Sequence, residues 1–207
     1  MSEANPNSRL EAFCDGVFAF ALTLLIIDVR IPSTVEIKNT PDLWLAIRHI
    51  LPSIFAFLLS FSVILITWVN HHNYMKLLNR SCNSFLYANG FLLLTVVLIP
   101  FPTSLQGEYV LTDHAAPAVV LFNAVLALQA IGWILIARSS LKNNLGKSEK
   151  ATKKMRQNGM FGYFAFTLYT LFAIAAFWFP LTIAIITAVT WLFWLIVGNS
   201  MKNDVEN

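Results

Sequence analysis

Apolar runs of about twenty residues alternate with short polar stretches along the whole chain. A bilayer core about 30 Å thick is crossed by about 20 apolar residues in α-helix. By this measure the pattern predicts six membrane-spanning helices, at residues 10–29, 51–69, 85–105, 116–137, 160–179 and 180–198. Pro100 and Pro102 predict a bend or an end in the third helix, and Thr40 with Pro41 predicts the start of the helix that leads into the second span. The pattern therefore predicts an all-α integral membrane protein, built as a single six-span domain over residues 1–207.

Composition agrees with this interpretation. Hydrophobic residues make up 57% of the chain and charged residues 12%, against about 45–50% and about 25% in soluble domains. The formal charge of +3 is too small and too localised to indicate a nucleic-acid partner, so the lipid bilayer is the main partner predicted. The polar start MSEANPNS has no basic region and no small-residue cleavage site before the first apolar run. We therefore expect the first span to remain in the mature protein.

The basic residues predict the orientation of the chain in the membrane. With six spans, both termini, the 70–84 connection and the hydrophilic stretch 138–157 lie on one side. That side carries eleven lysines and arginines: Arg9, Lys76, Arg80, Arg138, Lys142, Lys147, Lys150, Lys153, Lys154, Arg156 and Lys202. The other side carries three: Arg30, Lys38 and Arg48. Both termini and a basic loop at 138–157 are therefore predicted to be cytoplasmic, and contact of this loop with anionic headgroups stays open.

The first span, RLEAFCDGVFAFALTLLIIDVR, differs from lipid-facing helices because charges lie at both its ends and one hydroxyl, Thr23, lies in its middle. Charge within a span normally faces protein or water. At about 100° per residue, four residues share one stripe, here called the first-span stripe: Gly16, Phe20, Thr23 and Ile27. Asp15 lies about 100° away from this stripe and is predicted to face partners within the protein.

Two interpretations of the first-span stripe remain open. A stripe of small residues with one hydroxyl is common where helices pack closely, and Thr23 can bond the carbonyl of Ala19 in its own helix. Alternatively, an apolar constriction beside a layer of oxygens suits the lining of a narrow pore. One such helix per chain cannot enclose a pore, so the second interpretation requires a cyclic homo-oligomer.

A family resemblance favours the pore. The segment Arg-Leu-Glu-Ala-Phe-Cys-Asp-Gly at 9–16 resembles the RxxxFSD signature of the prokaryotic relatives of the lysosomal potassium channel, transmembrane protein 175, and VFAFALTLL after it is also similar. Cys14 replaces the usual serine, and Phe20 stands where isoleucine or leucine is typical. The resemblance implies a homotetramer in a prokaryotic plasma membrane whose first helices line a central pore, with K⁺ as the permeant ion and no cofactor.

The resemblance also implies roles for individual residues. Phe20 would form the hydrophobic constriction, Thr23 a selectivity layer one turn further on, and Ile27 another apolar layer, in place of the TVGYG filter of ordinary potassium channels. The other members of the motif would hold the helices together in a structural network, and the candidates for that network are Arg9, Phe13, Asp15, Gly16, His71 and His72.

Other polar residues in the spans are expected to be structural. His71 and His72 point about 100° apart and make a poor chelating pair, so no metal site is predicted; one of them is expected to bond Asp15 or pack near Arg9, and a pH-sensing role stays open. Interhelical hydrogen bonds are expected for Asn123 and Gln129. Both cysteines, Cys14 and Cys82, are predicted to be packing residues, and the aromatic residues at span ends, which include Trp44 and Trp68, are assigned to interface belts.

Two other functional classes fit the sequence less well. A proton-coupled secondary transporter would use Asp15 and a histidine of the second span as its relay, but the chain shows no internal repeat and no mid-membrane carboxylate. An enzyme would need a nucleophile–base pair, a metal motif or paired carboxylates at a usable spacing, and none is evident. The sequence therefore predicts a potassium-selective or potassium-preferring channel.

Overall fold

The computed structural model describes residues 6–30 and 37–203, and this part of the chain is helical. The helices are α1 (Ser8–Leu24), continued by a 3₁₀ turn (Leu25–Asp28), α2 (Thr40–Met75), α3 (Asn83–Leu98), α4 (Pro100–Tyr109), α5 (Ala115–Lys142), α6 (Glu149–Ala175) and α7 (Pro180–Asn203). The predicted all-α class is confirmed for the described residues. Five segments in them are long and apolar enough to cross a membrane.

These five segments correspond to the first five predicted spans, with α3 and α4 counted together. The sixth predicted span falls on α7 and is not among these five segments. α3 and α4 are separate because Pro100 has no N–H to continue the helix. The N–H of Ile99 bonds the Val96 carbonyl at 3.2 Å instead, so the predicted interruption lies at Ile99.

Two helices begin at polar capping residues. One of these helices starts inside the stretch 138–157 that the sequence predicted to be a loop. The N–H of Asp42 donates to Asn39 Oδ1 at 2.9 Å, so Asn39 caps α2 and Thr40 is its first residue. Ser148 caps α6 in the same way, accepting from the N–H of Ala151 at 3.1 Å. The hydrophilic stretch 138–157 is therefore mostly helical, with α5 running to Lys142 and α6 starting at Glu149. Apolar runs mark the membrane-embedded part of a helix and miss its polar ends.

α5 is the central helix, since it packs against α3, α4, α6 and α7, while α1 packs on α2 and α3. A core of buried side chains joins α1 to α2, α3 and α5 through Phe18, Ile64, Val96 and Phe122. A second core lies at the end of the bundle where α2 and α5 finish, and it contains Leu78, Phe85, Ile136, Leu145 and Met155.

Two backbone hydrogen bonds close this end of the bundle. The N–H of Asn79 donates to the Leu145 carbonyl at 2.8 Å, and the N–H of Lys147 donates to the Leu77 carbonyl at 2.9 Å. The α2–α3 and α5–α6 connections are thereby joined to each other. These two hydrogen bonds hold the last turns of α2, which carry the two histidines, against the remaining helices.

Buried polar groups inside the bundle follow the prediction only in part. Thr187 donates to Asn123 Oδ1 at 3.0 Å, which is the interhelical bond predicted for that asparagine. Gln129 is also buried, but its Nε2 has no hydrogen-bond partner among the described residues, contrary to the prediction. Cys14 is buried, Cys82 is partly buried, and both are free thiols.

Candidate functional site

α1 presents two opposite faces. Four side chains spaced by four, three and four residues are buried against α2 and α3: Cys14, Phe18, Ala21 and Leu25. This spacing keeps them on one side of a helix with 3.6 residues per turn. They fix both the position and the rotation of α1 on the chain.

The first-span stripe lies on the other side of α1 and has little contact with the rest of the chain. Phe20 is 60% exposed and Ile27 is 68% exposed, and Thr23 is also exposed. A Cβ atom added at Gly16 would meet nothing within 4 Å. The structure therefore brings the predicted pore residues together on one open apolar face with a single hydroxyl.

The Thr23 hydroxyl donates to the carbonyl of Phe20 at 2.8 Å, one residue along from the Ala19 carbonyl that the sequence predicted. Because the hydroxyl proton is used within the helix, the oxygen keeps its lone pairs for an acceptor role. The helix tightens into a 3₁₀ turn immediately afterwards, at Leu25–Asp28. Thr23 thus offers an oxygen, and not a proton, on the exposed face.

Asp15 lies off the stripe and binds α2. The indole N–H of Trp68 donates to Asp15 Oδ1 at 2.8 Å, and the indole ring stacks on His72 with centroids 5.9 Å apart. The sequence assigned Trp68 to an interface belt and predicted that one histidine bonds Asp15 or packs near Arg9. The indole takes the place predicted for the histidine, because Trp68 faces α1 one turn before His72.

His71 belongs to a buried chain of polar groups that joins α1, α2 and α3. The amide Nδ2 of Asn89 donates to Cys14 Sγ at 3.1 Å, and His71 Nε2 lies 2.7 Å from Asn89 Oδ1. Since an amide oxygen only accepts, the bond requires the proton on His71 Nε2. The imidazole packs against Phe18, with ring centroids 5.4 Å apart. These hydrogen-bonded groups therefore lie directly behind the buried face of α1.

The remaining motif residues project outward. Arg9 is exposed and Phe13 is 61% exposed, both near the start of α1. They do not join the cluster formed by Cys14, Asn89 and His71. Of the residues predicted to form the network, His71 alone joins this buried cluster, whereas Asp15 and His72 both contact Trp68. Arg9 and Phe13 lie outside both groups at the N-terminal end of α1.

Asn89 and the role of Trp68 were not predicted from the sequence. An amide near the start of the third apolar run is the signal for Asn89, because such a group needs a buried partner. No sequence signal distinguishes Trp68 from an interfacial tryptophan, since both end an apolar run near polar residues.

Comparisons with known proteins agree with the resemblance of the first span. The family model described as endosomal/lysosomal potassium channel TMEM175 matches residues 9–100. A potassium channel of Chamaesiphon minutus is 40% identical over 129 residues, which is 62% of this chain and 63% of that protein, slightly less than two thirds of its length. A potassium channel of a Chryseobacterium strain is 31% identical over 151 residues, covering 72% of this chain and 70% of that protein.

The fold is also similar to a solved structure over almost its whole length. The crystal structure of a lysosomal potassium-selective channel TMEM175 homolog from Chamaesiphon minutus superposes with a TM-score of 0.80. The two sequences are 29% identical, and the match covers 93% of this chain and 98% of that one. The similarity therefore extends beyond the residues that the family model matches.

Proposed function

This chain belongs to the TMEM175 potassium channel family, and we propose that it forms a potassium-selective or potassium-preferring channel as a homotetramer of six-span subunits. The family is one of ion channels and not of enzymes. In the proposed assembly the α1 helices surround a central pore, and both termini face the cytoplasm of a prokaryotic cell. The excess of lysine and arginine on the side of the termini supports this orientation.

The observation that carries the proposal is the open apolar face of α1. An apolar helix face without a partner among the described residues needs either lipid or another subunit, and here its two largest side chains are more than half exposed. Copies of α1 around a rotation axis would bring these faces towards one another. The Cys14–Asn89–His71 chain on the opposite face supports this arrangement because it fixes which side of α1 points away from the subunit.

The chemistry of the stripe fits ion conduction. A ring of Phe20 side chains would form a narrow apolar constriction of the kind that gates by dewetting, and aromatic faces also attract cations. A layer of Thr23 oxygens, which keep their lone pairs free, would replace part of the hydration shell of K⁺. Ile27 would add a second apolar layer. Arg9, Phe13 and Gly16 would lie near the subunit contacts, where the family motif holds the helices together.

Ion flux through liposomes tests the proposed activity. Wild-type protein should conduct K⁺ above empty vesicles, Phe20→Ala should raise the flux and lower the preference for K⁺ over Na⁺, and Thr23→Val should lower that preference. Leu128→Ala is the matched control, since Leu128 is also exposed, at 40%, but lies on α5. Absence of flux from folded wild-type protein under an applied potential would refute channel activity.

Crosslinking tests the proposed assembly independently. In a Cys82→Ala background, Thr23→Cys should form disulfide-linked dimers in membranes, because Thr23 is exposed on the stripe. The same exchange at Leu128 should give no such product. A monomeric protein, or equal crosslinking at both positions, would remove the arrangement in which α1 helices meet around an axis.

A further inference from the structure

A groove with basic side chains lies between the start of α3 and the end of α5, away from the first-span stripe. It encloses about 360 Å³ and is lined by Ser84, Tyr87, Ala88, Leu135, Arg138, Ser139 and Lys142. None of these lining residues is acidic. The groove opens on the outer surface of the chain, since Tyr87 on its rim is 82% exposed.

Two cations and a hydroxyl face this groove. Arg138 and Lys142 are one helical turn apart on α5, so their side chains share one face. Like charges at this spacing repel each other, and an anion between them would convert the repulsion into attraction. The hydroxyl of Ser139 donates to Ser84 Oγ at 2.9 Å. The proton of Ser84 is therefore free to point to an anion in the groove.

One end of the groove is apolar and the other is charged. Arg138 directly follows the apolar run of α5, and the partly exposed Leu135 lies one turn back within that run, near the buried Ala88 of α3. Tyr87 adds an exposed aromatic ring of the type that occurs at headgroup level. Charge outside and apolar surface inside match an amphiphile whose anionic group is attached to a hydrocarbon chain.

We propose that this groove is a binding site for an anionic phospholipid, with the phosphate between Arg138 and Lys142 and an acyl chain along Leu135 and Ala88. Arg binds phosphate oxygens through paired N–H donors, and Lys contributes a compact charge. The Ser84 hydroxyl supplies a third donor. The site is distinct from the proposed pore, so phospholipid binding here does not depend on channel activity.

Native mass spectrometry of detergent-purified protein tests the site. Wild-type protein should retain phosphatidylglycerol in preference to phosphatidylcholine with the same acyl chains. The double variant Arg138→Gln, Lys142→Gln should lower this preference about tenfold, because each cation near an anionic surface contributes separately. The matched control Lys150→Gln, Lys153→Gln removes two exposed cations from α6 outside the groove and should keep the preference.

The exchange Arg138→Lys, Lys142→Arg keeps both charges and should retain most of the preference, which separates loss of binding from misfolding. Equal losses in the groove and control variants would mean general charge attraction and overturn the site. Equal binding of soluble glycerol phosphate would overturn the acyl-chain part. If the double variant loses its oligomeric state while phospholipid retention is unchanged, the groove is a contact between subunits and the proposal is wrong.

Discussion

The indole N–H of Trp68 donates a hydrogen bond of 2.8 Å to the carboxylate of Asp15. This bond joins Asp15, one of the charged residues of the first span, to α2 and holds it away from the exposed stripe. Together with the buried contacts of Phe18 and Leu25, it sets the rotation of α1. Loss of this bond should therefore change the packing of α1 on α2, because the bond does not contact any residue of the stripe.

Replacing the donor should destabilise the protein. Trp68→Phe keeps an aromatic ring but removes the N–H. The free energy of unfolding in detergent should fall by about 1–2 kcal/mol, the lower part of what a bond to a charged group contributes, because this bond is exposed. Asp15→Asn should cost less, because its amide oxygen still accepts. Trp44→Phe is the control, since Trp44 is 65% exposed. Equal stability of the Trp68 and Trp44 variants would contradict the importance of the bond.

Substitutions in the hydrogen-bonded group of Cys14, Asn89 and His71 should lower the free energy of unfolding by different amounts. Asn89→Leu leaves the buried N–H of His71 without an acceptor and should lower the free energy of unfolding by about 2–3 kcal/mol. Cys14→Ala removes only a weak sulfur acceptor and should cost less than Asn89→Leu. Equilibrium unfolding monitored by circular dichroism measures both, and a larger loss for Cys14→Ala would reverse the assignment.

Two phenylalanines two residues apart on α1 should respond oppositely to truncation. Phe18 is 1% exposed and Phe20 is 60% exposed. Phe18→Ala should therefore lower the free energy of unfolding by about 3–5 kcal/mol, whereas Phe20→Ala should leave the fold of the subunit intact and act on ion flux. Thermal unfolding and liposome flux of the same samples separate the two effects. A folded Phe18→Ala protein of wild-type stability would show that α1 packs differently.

A side chain at Gly107 should destabilise the protein, in contrast to one at Gly90. A Cβ atom at Gly107 would lie 2.8 Å from the Cα of Ser53, where α4 crosses α2, so Gly107→Ala should cost about 1–3 kcal/mol through overpacking. At Gly90 nothing lies within 4 Å, and Gly90→Ala should be neutral or gain up to about 1 kcal/mol from helix propensity. Unfolding in detergent tests the pair, and equal effects would argue against a close α2–α4 crossing.

Much of the helical framework was predictable because its signals are local. Apolar runs fixed the approximate positions of the first five spans, and Pro100 fixed the interruption of the third. The ends of helices were predicted less well. α5 and α6 extend into the hydrophilic stretch 138–157, since a helix held by bundle packing continues through polar residues that leave no apolar signal.

In the candidate site, too, some features could be predicted from the sequence and others could not. The periodicity of α1 alone placed Gly16, Phe20, Thr23 and Ile27 on one stripe and Asp15 off it, and the structure has this arrangement. Hydrogen-bond partners were not predictable: Trp68 took the place expected for a histidine, and Gln129 lacks the interhelical bond expected of it among the described residues.

The sequence by itself thus determined the helical class, the membrane environment and the composition of the two faces of α1, because these depend on residues within about two turns of one another. Only the tertiary structure decided which faces meet. Trp68 is 53 residues from Asp15, and Asn89 is 75 residues from Cys14. Helical periodicity shows which side chains share a face, but the partner of that face depends on how helices distant in sequence pack. In this protein that packing buries the face of α1 with Cys14 and leaves the first-span stripe exposed.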